Sequence, residues 1–110
     1  MDYLNRVELT GKVGNVRITE VGAIRIARVS VVTEYNCKYK NELGEPTIEV
    51  TWHNVIINGR ADGPDNFEDI VKGAKISVKG RIRMQGYIDV SGIERSTPEI
   101  VAYSWTIIEK

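Results

Sequence analysis

Asp62-Gly63-Pro64-Asp65-Asn66-Phe67-Glu68-Asp69-Ile70-Val71-Lys72-Gly73 decides the reading of this chain, because its signals alone are helical. Asp65 and Glu68 stand three apart in capping-box spacing, and Gly73 offers a C-terminal stop. Phe67, Ile70 and Val71 supply a stripe to bury, which predicts a short helix opened by Asp62-Gly63-Pro64-Asp65. The carboxylates of Asp62, Asp65, Glu68 and Asp69 then have a structural reading, since they complement the helix dipole and cap free N–H groups.

On either side of this segment the chain reads as strands. Downstream, Lys75 to Tyr87 alternates with period two, which puts Lys75, Lys79, Arg81, Arg83 and Tyr87 on one face and sends Ile76, Val78, Ile82 and Met84 into a core. A turn at Asp89-Val90-Ser91-Gly92 leads into a fifth strand, Arg95 to Ile108. Upstream, Ile48 to Ile57 is apolar on both faces, as befits a strand between layers. Asn36 to Pro46 is polar and reads as an exposed hairpin loop carrying Lys38, Tyr39 and Lys40. The second strand, Ala23 to Glu34, is apolar at Ile24 and Ile26 and then at Val29 and Val31, a change of parity that predicts a bulge near Ala27. Leu4 to Thr19 is a first strand bent at Gly11 and Gly14, with a turn at Val21-Gly22. The predicted fold is all-β: a five-stranded OB-fold Greek-key barrel with one short helix between strands 3 and 4. At 110 residues it suits one domain spanning 1–110, with no repeat or linker.

Fifteen Lys and Arg balance fifteen Asp and Glu, so any basic footprint for nucleic acid must be local. Cys37 is the sole cysteine, which excludes an internal disulfide or cysteine metal cluster and fits a reducing compartment. Residues 1–6 lack the apolar core of a signal peptide, and no apolar run reaches membrane-spanning length; the chain reads as cytoplasmic, with no membrane partner. His53 is the sole histidine and cannot pair with a second one for a metal. Gly11-Lys12-Val13-Gly14 is no phosphate-cradling loop, and no nucleophile has a base partner. The expectation is a non-enzyme without cofactor or metal.

A row of cations ending in Tyr87 suits an unpaired nucleic-acid strand, which offers phosphates and open base faces. The plainer reading is a solvated strand face. Trp52 shares its face with Ile48, Val50 and Ile56, which fits a core tryptophan as well as an exposed stacking ring. The opposite face holds Val55 and Ile57, so parity leaves both readings open. Lys12, Arg28, Lys38, Lys40, Arg60, Lys72 and Arg95 are further possible phosphate contacts, most of them readable as solubilising charges.

Three landmarks follow in order: Asn5-Arg6-Val7, Thr51-Trp52-His53-Asn54-Val55, and Gly80-Arg81-Ile82-Arg83 with Tyr87. With Leu9-Thr10-Gly11-Lys12-Val13-Gly14, Ala27 to Thr33 and Thr97-Pro98-Glu99-Ile100-Val101-Ala102, this order resembles the bacterial single-stranded DNA-binding protein (SSB) family over nearly the whole chain. The resemblance implies sequence-independent binding and coating of single-stranded DNA in replication, recombination and repair. It also implies a homotetramer of dimers that pair through the first strand.

By matched position the resemblance makes Trp52 and Tyr87 stacking rings, and it makes Arg17 a basic contact after the first bend. Lys12, Lys38, Lys40, Lys79, Arg81 and Arg83 are expected on phosphates, and Asn5, Val7 and His53 at the subunit interface. The family's loop tryptophan falls near Cys37, where Tyr35 or Tyr39 is the substitute. Asn58 stands where phenylalanine is frequent and Ser96 where tyrosine is, and Gly14-Asn15-Val16-Arg17 lacks the usual Asp-Pro. The sequence stops at Ile107-Ile108-Glu109-Lys110 and reads as a tailless or shortened member, of a bacterium, phage or mobile element. Partner recruitment through an acidic tail is therefore not expected. The alternative is an assembly adaptor resembling primosomal replication protein N, acting as a dimer through protein contacts. A third reading is an OB-fold that has lost nucleic-acid binding and serves only protein interactions.

Overall fold

A computed structural model gives the architecture; residues 3–62 and 67–110 are described, apart from the side chains at 38, 39 and 60–62. The expected cap residue Asp65 lies outside the described residues, as do Gly63 and Pro64. The elements are β1 (Val7–Val21), β2 (Ile24–Lys40), β3 (Pro46–Asp62), a single 3-10 turn (Phe67–Asp69), β4 (Lys75–Ile88) and β5 (Glu94–Glu109). They close a barrel in the order β1-β2-β3-β5-β4, antiparallel throughout except where β3 meets β5. Among the described residues no helix is long and apolar enough to cross a membrane.

Inward alternation builds the core: Ala27, Val29 and Val31 on β2, Val55 and Ile57 on β3, Ile76 and Val78 on β4, and Ile100, Ala102 and Trp105 on β5. Phe67 and Ile70 close one end, where the Phe67 ring tilts against Trp105 at 5.8 Å and Arg25 Cζ sits 5.5 Å from the Phe67 ring centre. Gly11 and Gly80 mark tight approaches of two strands, because a Cβ there would overlap the Val32 or the Val101 carbonyl oxygen.

Four sequence expectations are corrected. The segment 36–46 is not a loop: Asn36 to Lys40 continues β2, Pro46 starts β3, and Lys40 pairs with Pro46 across a turn at 41–45. Asn41 Oδ1 accepts from the Leu43 and Glu45 N–H groups, and Gly44 takes a φ of 78°, so one side chain and one glycine suffice for the reversal. Val71 is exposed, because the turn at Phe67 is 3-10; that geometry aligns i with i+3, which keeps Phe67 and Ile70 in the core and turns Val71 out. The bulge lies in β1 between Val13 and Val16, opposite an unbroken β2, and Ile24 and Ile26 simply face outward. Ile82 and Met84 are 48% and 58% exposed, because β4 and β5 run beyond the barrel as a two-stranded arm with no layer beneath them. A second arm is formed by β2 and β3 beyond Trp52.

Candidate nucleic-acid interface

The β1 bulge arranges the first cations. Val13 and Val16 both point inward although their positions differ in parity, since Gly14 and Asn15 together oppose Ser30. Ser30 Oγ accepts from the Asn15 N–H at 2.8 Å and holds the bulge. Because of the extra residue, Lys12 and Arg17 both face outward.

Trp52 is 60% exposed on the same outer face, so the core reading of this ring falls. Its ring lies over Gly14, where a Cβ would stand 2.5 Å from Trp52 Cζ3. Cross-strand register carries outward-facing residues around the closed barrel in two rows. One runs Trp52, Val32, Lys12, Lys75 through β3, β2, β1 and β4. The other runs Arg17, Arg28, Ile56, Val101, Arg81 through β1, β2, β3, β5 and β4. Neighbouring strands are about 4.8 Å apart, so each row sets cations one or more strand widths from apolar ground.

Between the arms, where β3 and β5 part company below Val55 and Ile100, two grooves open. One of about 430 Å³ holds Arg17, Arg28, Ser30, Asn54, Gln85 and Glu99; the other, about 350 Å³, holds Trp52, His53, Asn54, Pro98 and Glu99. Glu99 Oε1 accepts from Arg83 Nε at 3.0 Å and from Arg83 Nη2. Arg83 was expected on phosphate, yet much of its hydrogen-bonding capacity goes to this carboxylate.

Other expected residues disperse. Lys79 is exposed but stands opposite Glu8 and Ser104, around the barrel from Trp52. Tyr87 is exposed on the β4–β5 arm at the parity of Arg81 and Arg83, opposite Arg95, whose Nε lies 2.7 Å from Asp89 Oδ2. Tyr35 is exposed opposite Glu49, on the other side of the β2–β3 arm from Trp52. Lys40 is exposed near the tip of that arm, and the side chains of Lys38, Tyr39 and Arg60 lie outside the described residues.

Asn5 accepts from the Ile82 N–H at 2.9 Å and donates to the Ile82 carbonyl at 2.8 Å, which extends the β1–β4 ladder within the chain. Val7 is half-buried against the core. His53 Nε2 stands 2.8 Å from Thr33 Oγ1, and burial lowers its pKa below the ordinary histidine value, which favours the neutral ring. Sequence reasoning did not single out Glu99, Ser30, Asn54 or Gln85. Asn54, Ser30 and Glu99 stand inside stretches quoted for the resemblance, and all four have outward parity beside the expected site residues.

Residues 4–108 match the family model described as the single-strand binding protein family. The chain belongs to the single-strand binding protein family. As an SSB-family chain it is 31% identical over 102 residues to the single-stranded DNA-binding protein of Xanthomonas campestris pv. campestris, a match that covers 90% of this chain and 57% of that one. It is 31% identical to single-stranded DNA-binding protein 1 of Xylella fastidiosa, over all of this chain and 81% of that one. The chain thus spans little more than half the length of its Xanthomonas relative. Among solved structures, the Plasmodium falciparum SSB complex with ssDNA superposes at a TM-score of 0.76 with 21% identity, covering 99% of this SSB-family chain and 98% of that chain. A deletion mutant of the Thermus aquaticus single-stranded DNA binding protein superposes at 0.73 with 20% identity, covering 96% and 51%. These superpositions show the shared OB-fold barrel.

Proposed function

We propose that this chain binds single-stranded DNA without regard to sequence and coats exposed strands during replication, recombination and repair. One observation carries the reading: Trp52, open to solvent, lies over Gly14 of β1, whose bulge turns Lys12 and Arg17 outward, with Arg28 beside Arg17 on β2. An aromatic ring takes an unstacked base face, while spaced cations take phosphates, and neither contact depends on base identity. The names of the SSB relatives support the ligand. The action is binding and not catalysis, and it needs no cofactor. The chain is read as a cytoplasmic homotetramer, with Val7 and His53 contributing to subunit contacts and Asn5 ordering the strand that makes them.

Titration of intrinsic fluorescence with oligo-dT at two salt concentrations, beside light scattering, tests this. Trp105 is 3% exposed in the barrel, so Trp52 should carry the response. Oligo-dT should quench the wild-type tetramer strongly and less so at high salt, and Trp52→Phe should lose the quench. A dimer that neither binds nor quenches would overturn the reading in favour of a protein-assembly adaptor.

A further inference from the structure

We propose that Glu99 is a selectivity residue: it keeps phosphate off the floor of the interface, so that the face accepts a strand through its bases and rejects polyanions that have none. The inference rests on the single-stranded DNA reading above. Glu99 is the one buried charged residue among the described residues, 5% exposed, and it lines both grooves between the arms. Around it the floor is apolar or neutral, with Ile56, Val101, Asn54 and Thr97. Arg83 Nε and Nη2 both donate to one oxygen of the carboxylate, so the pair adds no net charge to attract phosphate.

The cations not paired with Glu99 are Arg17 and Arg28, which line the β1–β2 wall of the larger groove, and Arg81 in the next row of β4. A phosphate laid on the floor would find the Arg83 charge already taken by Glu99, whereas a base would meet apolar and neutral polar groups beside Trp52. A strand therefore lies bases inward with its phosphates over the outer cations. A base-free backbone gains nothing from the floor.

The test compares oligo-dT with an abasic tetrahydrofuran-phosphate oligomer of equal length, in wild type and Glu99→Gln, which keeps an acceptor for Arg83. A unit charge at contact distance in water is worth about five-fold, so E99Q should bind the abasic oligomer about five-fold tighter while oligo-dT changes by less than about two-fold. Glu20→Gln, an exposed change at the far end of β1, should leave the ratio of the two affinities unaltered. Should E99Q misfold, Glu99→Leu replaces it with the same expected outcome, and the double variant Arg83→Leu/Glu99→Leu, which leaves the net charge unchanged, should keep the wild-type ratio; a narrowed ratio in the double variant would overturn the inference. Equal gains on both oligomers, or no change on either, would overturn the inference and leave the single-stranded DNA reading standing. Failure of the wild type to bind oligo-dT would overturn both.

Discussion

Gly14 and Trp52 work as one unit. The indole can pack against β1 only because residue 14 has no side chain; a Cβ there would also come within 2.9 Å of Ser30 Oγ, the group that holds the bulge. Gly14→Ala should therefore tilt the ring off the face. The expected outcome is several-fold weaker oligo-dT binding with a loss of about 1 to 2 kcal/mol of stability, read by fluorescence titration and thermal melting. The exposure of Trp52 was not legible in the sequence for a physical reason. Inside the barrel β3 is apolar on both faces at Val55, Ile56 and Ile57, and on the arm it stays apolar at Ile48 and Val50 with nothing covering them. From Ile48 to His53 the strand alternates apolar and polar, which reads as a dry face holding Trp52, whereas the arm leaves that apolar face open; past Asn54 the apolar residues occupy both parities. Glu99 was hidden differently: its outward parity predicts a wet side chain, and its burial comes from Arg83, which reaches it from the next strand.

The strands themselves were legible in number, order and core alternation, because the barrel-forming half of each one buries a regular face. Their lengths were not. An arm exposed on both sides needs no hydrophobic period, so the polar run 36–40 looked like a loop and the apolar Ile82 and Met84 looked like core. The two arms end in turns of one design, Asn41 with Gly44 and Asp89 with Gly92, in which the first side chain accepts from the N–H groups two and four residues on. They differ in that Asp89 titrates. Its hydrogen bond with Arg95, then those with Ile93 and Ser91, hold its pKa below the ordinary aspartate value of 3.8. A depressed carboxylate stabilises the folded turn above that value and loses its contribution as pH falls through the folded-state pKa. Acidification from pH 5 to pH 2 should therefore lower the protection of the Gly92 amide, measured against its intrinsic exchange rate at each pH, more than that of Gly44, an ordering that equal fraying of both tips would contradict.

Across the whole molecule, a net charge of zero conceals the uneven placement of its charges. Lys12, Lys75, Arg17, Arg28 and Arg81 belong to the two rows. If each neutralises one phosphate, the logarithm of affinity should fall with log salt at a slope near 3.5 per protomer, from roughly 0.7 per single-strand phosphate. Arg28→Ala should reduce that slope by about 0.7 and weaken all oligonucleotide sequences alike, as read by titration at four or more salt concentrations. An unchanged slope would remove Arg28 from the phosphate track. The barrel's strand order also bears on how the chain is made. β5 lies between β3 and β4, so a ribosome that has released the first four strands has delivered only an open sheet, β4-β1-β2-β3, with two bare edges. Closure waits for the last strand to emerge. The nascent protein is thus most vulnerable to aggregation just before β5 emerges, and slowing translation over β5 should lower the soluble yield more than slowing it over β2.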